Sequence, residues 1–260
     1  MTLNADRQQQ IVQFVQRRGR ATVEELSAQF GVSEATIRRD LEKLDGQGTI
    51  RRAHGGAVPI ERALPEPPVL RRAAEHAAEK QRIGQAAARL IGDGQTIVLG
   101  SGSTTLAVAQ HLAGRRDLKV ITNALNIANA LAGQPEIATI LTGGLLRASE
   151  LSMIGHLTEQ ALRELRADTA IMGIRALSAA DGLTNDYGVE TAIDRAIIRS
   201  APRLIVVADH SKLGRVATAV IAPITAVHTL VTSDLADPTI VAELRRLGIT
   251  VVLAPEVSSQ

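Results

Sequence analysis

The sequence predicts an α/β protein in which an N-terminal winged helix-turn-helix is followed by a mostly parallel, Rossmann-like sheet domain. Three observations lead there. Residues 6–44 carry short helical periodicities broken by cap and stop residues at close spacing. Four of the nine prolines, Pro59, Pro65, Pro67 and Pro68, then fall together. Beyond them, continuous apolar runs alternate with helical stretches, the pattern of strands buried on both faces. A chain of 260 residues has room for one medium and one small domain of this kind.

The first domain, residues 1–58, reads as three helices and a wing. Helix one spans about 6–18, with Ile11, Phe14 and Val15 on one face. Thr22 and Glu25 have the spacing of a capping box that opens helix two, whose Val23, Leu26 and Phe30 share a face before Gly31 ends it. Ser33 suits the N-cap of helix three, where Ile37, Leu41 and Leu44 recur at i, i+4 and i+7. Residues 50–53 and 57–58 flank His54-Gly55-Gly56 and predict a short two-stranded wing.

Residues 59–68 resist helix and sheet alike and read as a semi-rigid linker. The second domain, 69–260, opens with a long amphipathic helix over about 69–91. Strands are expected at 96–99, 120–122, 138–141, 170–173, 204–208, 229–232 and 250–253. Helices between them are expected at 105–112, 127–131, 157–165, 191–199 and 240–247. Ligands of such sheets sit at the carboxyl ends of the strands.

Composition excludes several function classes. With 45% hydrophobic and 22% charged residues the chain is an ordinary globular one. It has no Cys, so disulfides, thiol catalysis and thiolate metal sites are absent. The aromatics are Phe14, Phe30 and Tyr187, too few for base-stacking recognition of single strands. No apolar run approaches the roughly 18 residues of a membrane span, and the N-terminus is polar rather than signal-like. A cytoplasmic protein without membrane contact is the expectation. Residues 1–58 hold 9 Lys+Arg against 7 Asp+Glu, whereas 59–260 hold 20 against 20. The positive excess lies wholly in the first domain.

Helix two, the turn at Gly31-Val32 and helix three form a helix-turn-helix, whose second helix lies in the major groove of double-stranded DNA. Ser33, Glu34, Thr36, Arg38 and Arg39 lie away from its apolar face. Arg suits guanine edges, and Ser or Thr suits phosphate. On the wing, Arg51, Arg52 and His54 would meet the backbone or the minor groove. A solvated Arg face on a helical bundle is the plain alternative.

Arg7, Ile11 and Val15, followed by Ser33-Glu34-Ala35-Thr36-Ile37-Arg38-Arg39-Asp40-Leu41 and by the wing from Ile50 through His54-Gly55-Gly56-Ala57, resemble the signature of the DeoR family of bacterial transcriptional regulators. The family motif also carries an Asp at the Asp40 position, read here as a structural partner of a nearby Arg. The resemblance continues to the end of the chain and implies a sensor domain similar in fold to ribose-5-phosphate isomerase that responds to phosphorylated sugars or their derivatives. Its landmarks match Gly100-Ser101-Gly102-Ser103-Thr104-Thr105, Thr122-Asn123, Thr142-Gly143-Gly144 and Asp209-His210-Ser211-Lys212. Independently of the family, a Gly/Ser/Thr loop between strand and helix exposes N–H groups, hydroxyls and a helix N-terminus that favour phosphate. A tight turn capping the helix is the plain alternative. Asn123, Gly143, Gly144, Arg147, Arg175, Glu190 and Lys212 complete the candidate effector set.

The chain departs from the family pattern in three places. Gly100 stands where members commonly carry Asp, Ile174-Arg175-Ala176 replaces an Asp-Gly or Ser-Gly pair, and Asp194 stands where many have Lys. These departures keep an anionic ligand while loosening its identity; Arg175 adds an anion partner. Retained isomerase activity would need a positioned carboxylate base, for which Asp186, Glu190 and Asp209 are available, but the acidic loop of the isomerases is missing. The six His are scattered without ligand spacing, so neither metal nor cofactor is expected. The resulting reading is a non-enzymatic regulator, a repressor of a carbohydrate operon, acting as a homo-oligomer (dimer or tetramer) on operator DNA and relieved by a small anionic effector. An isomerase fused to a winged helix and an effector-independent DNA binder stand as alternatives.

Overall fold

The computed structural model describes residues 3–18, 20–46, 49–53, 55–59, 67–186 and 188–256. His54 and residues 60–66 of the proline-rich segment lie outside them. The chain forms two compact units, Met1–Glu61 and Arg62–Gln260.

The first unit comprises α1 (Leu3–Arg18), β1 (Ala21–Thr22), α2 (Val23–Phe30), α3 (Glu34–Gly46), β2 (Ile50–Ala53) and β3 (Gly56–Pro59). Ile11, Val15, Leu26, Ile37, Leu41, Leu44 and Ile50 form its core, as the helical periodicities require. The capping box is present. The Glu25 N–H donates to Thr22 Oγ1 at 3.1 Å, and the Thr22 N–H donates to Glu25 Oε2 at 2.8 Å. Gly31 ends α2 in the left-handed region at φ 63°, where a side chain would be strained, and this sets the turn into α3. The wing differs from expectation in having a third strand. β1 pairs with β3, giving the order β1-β3-β2. Two residues that run straight into a helix cap carry no alternation by which a strand could be read.

The second unit contains α4 (Val69–Ala74), α5 (Ala77–Ala88), β4 (Thr96–Leu99), α6 (Ser103–Gln110), β5 (Leu118–Thr122), α7 (Leu125–Leu131), β6 (Ile137–Leu141), β7 (Leu145–Arg147) and β8 (Ser152–Ile154). It continues with α8 (His156–Glu164), β9 (Thr169–Gly173), β10 (Ala176–Ser178), β11 (Gly182–Asn185), α9 (Gly188–Arg199), β12 (Arg203–Val207), β13 (Ala219–Ala222), β14 (Thr229–Ser233), α10 (Pro238–Arg246) and β15 (Thr250–Ala254). All seven strands expected from apolar runs lie in one sheet of order β15-β14-β12-β9-β4-β5-β6, and every pairing is parallel. Two buried clusters cover its faces. One gathers side chains of α8, α9 and α10, the other those of α5, α6 and α7. Close packing is visible at Gly84, where a Cβ would come 2.5 Å from the backbone of Ala107, so α5 can lie on α6 only with glycine there.

Two smaller features have no counterpart in the sequence expectations: the β7–β8 hairpin and the antiparallel sheet β10-β11-β13. Most of their strands are three residues long, below the length at which period-2 alternation can be recognised. The expected helix over 69–91 is also corrected. It breaks at Glu75, which is extended, and His76, which has φ 53°. The buried ammonium of Lys80 takes up the Arg72 and Glu75 carbonyls, both at 2.6 Å, and so stabilises the break that a continuous helix would not tolerate.

Candidate functional site

In the first unit the site is a helix face. Ser33, Glu34, Arg38 and Arg39 are exposed and Thr36 is half-buried, while Ile37 and Leu41 turn inward. The Ser33 hydroxyl accepts from the Thr36 N–H at 3.3 Å, so Ser33 caps α3 as its sequence position suggests. Arg38 pairs with Glu34 one turn earlier at 3.1 Å. Asp40 is buried and accepts from Arg7 Nε at 2.8 Å and from the Gln8 amide at 2.7 Å, which accounts for an acid on an otherwise basic helix. Arg51 is half-buried. Arg52 is not a free wing cation, because it pairs with Glu42 at 2.8 Å and its N–H donates to Asp45.

In the second unit the site is a cavity at the carboxyl ends of β4, β5, β9 and β12. The chain order runs outward from β4 to β6 on one side and from β9 to β15 on the other. The cavity therefore lies at the point where the order reverses, the crevice in which open α/β sheets bind ligands. Eight of the expected residues line it together: Ser101, Gly102, Ser103, Thr104, Asn123, Arg175, Glu190 and Lys212. Gly102 precedes α6 at φ 144°, and no side chain caps that helix, so its first N–H groups are left to the cavity. Asn123 is buried. Its Nδ2 donates to the Met153 carbonyl at 3.1 Å, and its Oδ1 has no partner among the described residues.

Five expected residues are corrected. Gly100 packs under Ile197 and Met172 and gives its N–H to the Ile171 carbonyl. Thr105 is fully buried, with its hydroxyl on the Gly102 carbonyl. Gly143 and Gly144 meet Thr158, whose hydroxyl donates to the Gly143 carbonyl. Arg147 stands outside the lining and pairs with Glu190. Sequence spacing marks where a loop starts but not which of its residues turn inward.

Arg72, Glu75, His76, Lys80, Glu150 and Asn185 also line the cavity and were not expected; Asp194 and Asp209, marked in the sequence as a departure from the family pattern and as an available acid, line it too. The first four flank the break between α4 and α5, with Arg72 on α4, Glu75 and His76 at the break and Lys80 on α5. The break itself could have been suspected only from the Glu-His pair at a point where the apolar pattern lapses. Arg72 and Glu150 form a buried pair. Arg175 is held by Asp186 at 2.7 Å. Burial pulls the Lys80 ammonium below its ordinary value, against the attraction of Asp209 4.0 Å away. Burial would raise Asp209, but the Ser211 hydroxyl, Lys212 and Lys80 outweigh it and hold the carboxylate low. Asp194 is the opposite case. Burial pushes it up to about 7, the Asn185 amide counters in part, and Glu190 adds to the rise.

His76, Glu79 and His210 bring ligand-capable atoms within 4.8 Å of one another, a grouping hidden by the 131 positions between Glu79 and His210. Glu79 is buried and accepts from the His210 N–H at 2.9 Å and the Ser233 hydroxyl at 2.6 Å, with His210 Nδ1 3.0 Å away. These donors satisfy the carboxylate and tie the loop after β12 to α5.

Comparison with known proteins agrees with both halves. The DeoR-like helix-turn-helix domain matches residues 7–63, and the DeoR C terminal sensor domain matches residues 75–234. The "Putative aga operon transcriptional repressor" of Escherichia coli O157:H7 is 33% identical, over 98% of this chain and 96% of its own. The "Glycerol-3-phosphate regulon repressor" of Escherichia coli K12 is 37% identical, over 79% of this chain and 81% of its own. Ribose 5 phosphate isomerase A from Neisseria gonorrhoeae aligns over 52% of each chain at a TM-score of 0.38 and 15% identity, too distant to bear on activity. With both of its units matched in order and relatives aligned over nearly its whole length, the chain belongs to the DeoR family.

Proposed function

We propose that this protein is a transcriptional repressor that reads double-stranded operator DNA through α3 and is released by a phosphorylated sugar or a related anionic metabolite. The observation that carries the effector half is the uncapped N-terminus of α6 opening, with Ser101–Thr104, into a cavity that also holds Lys80 and Lys212. Backbone N–H groups at a helix N-terminus favour phosphate, and two ammonium groups add charge pairing. Arg38 and Arg39 would read base edges, Ser33 and Thr36 would hold phosphates, and Arg51 would meet the backbone. The relatives' names are those of regulators rather than enzymes, which supports a sensing role over a catalytic one.

Assembly belongs to the same proposal. One winged helix offers a contact on the order of 600–1,000 Å², small for tight specific binding, and a dimer would double it across two half-sites. A second copy of this chain suits the free edge of the large sheet. Ile140 and Leu141 on β6 and Leu145 and Leu146 on β7 are exposed there, with Leu145 at 71%. Release requires that effector bind one arrangement of the dimer better than the other, and a coupling of about 1–3 kcal/mol changes operator affinity roughly 5- to 150-fold.

The test is effector response in Ser103→Ala and Lys212→Ala. Both should bind a panel of sugar phosphates more weakly by calorimetry, yet hold DNA as wild type does without effector. Unchanged effector affinity in both would move the pocket elsewhere.

A further inference from the structure

We infer that the effector carries a protonated amine as well as its phosphate, so that the ligand class is an amino-sugar phosphate. This rests on the proposed phosphate seat and concerns the other side of the same cavity. The two sides differ in chemistry. The α6 loop offers donors, whereas α9 presents Glu190 and Asp194 one turn apart, with Asn185 beside them. Glu190 is engaged by Arg147. Asp194 has one hydrogen bond, from Asn185 Nδ2 at 2.9 Å, and no cation among the described residues pairs with it. The neighbouring Arg195 is turned to the carbonyls of β13.

A carboxyl so placed is costly as an anion, and its elevation to about 7 expresses that cost. An ammonium group brought by the ligand removes the cost by supplying the missing counter-charge. A ligand hydroxyl does so only weakly, because it brings no charge against the repulsion from Glu190. A second observation points the same way. Asn123, a lining residue, leaves its buried Oδ1 without a hydrogen-bond partner among the described residues, while its Nδ2 donates to the Met153 carbonyl. The cavity thus asks its ligand for hydrogen-bond donors away from the phosphate.

The experiment is calorimetric titration of the full-length protein at pH 7 with matched pairs: glucosamine 6-phosphate against glucose 6-phosphate, and galactosamine 6-phosphate against galactose 6-phosphate. At least one amino member should bind about tenfold or more tightly than its hydroxyl partner, the size of one charge-assisted hydrogen bond. Asp194→Asn, which keeps the shape of the side chain, should bring that pair within twofold by weakening the amino member alone. A melting temperature for the variant checks that it is folded, and the wild-type preference stands as a readout without it. If both members of each pair bind equally, or the hydroxyl members bind better, while Lys212→Ala weakens both, the amine inference falls and the phosphate reading survives. If no sugar phosphate binds, the phosphate reading falls and takes this inference with it.

Discussion

The two units hold their candidate functional residues in different ways. In the first, the proposed DNA-reading side chains stand on one face of a single helix whose other face is core, so Arg38 and Arg39 are exposed because Ile37 and Leu41 are buried. In the second, the lining comes from segments between Arg72 and Lys212, and many of its charged groups are neutralised within the chain: Arg72 by Glu150, Arg175 by Asp186, Glu190 by Arg147. A helix face needs only local periodicity to display charge. A cavity that gathers charges from many segments has to pair them, since unpaired buried charge is expensive.

The largest effects should separate the units by stability. Glu150→Ala leaves the Arg72 guanidinium buried without its carboxylate and should cost about 3–5 kcal/mol, felt in the unfolding of the second unit. Ile37→Ala removes a fully buried side chain from the first unit's core and should cost about 2–5 kcal/mol there. Calorimetry of the full-length chain should show each variant lowering a different transition. If both variants lower one shared transition equally, the units do not unfold separately and the comparison breaks.

DNA affinity should sharpen the distinction within the first unit. On operator sequences selected from random DNA, Arg38→Ala is expected to cost about 1–3 kcal/mol and to relax base preference. Arg51→Ala should weaken all sequences alike and flatten the salt slope by about one unit. Equal operator affinity in Arg38→Ala and wild type would remove α3 from the reading role.

A pH-dependent effect concerns the acid of the second unit that has no cation partner among the described residues. Asp194 has a folded pKa of about 7, above its ordinary 3.8. The folded state therefore holds a proton that the unfolded state releases between those values, and stability from this group falls as pH rises across that window. Asp194→Asn should leave the melting temperature unchanged near pH 4 and raise it relative to wild type at pH 8. A difference independent of pH would show that Asp194 already has a counter-charge.

Legible in the sequence alone were the helix-turn-helix with its Thr22–Glu25 cap and Gly31 turn, all seven parallel strands, and a pairing role for Asp40, because each follows from a short period, a cap or a local charge mismatch; that the partner is Arg7 came from the fold. Eight lining residues of the cavity were legible as well, through the Gly-rich loop and the strand ends. The remaining features depended on long-range packing. It broke the 69–91 helix at His76, because the Lys80 ammonium there takes carbonyls that a continuous helix would keep for itself. It turned Gly100 and Thr105 into packing and brought Asn185 and Asp194 to the cavity wall. Burial and pairing depend on what lies across a gap of tens of residues, and no period along the chain carries that information.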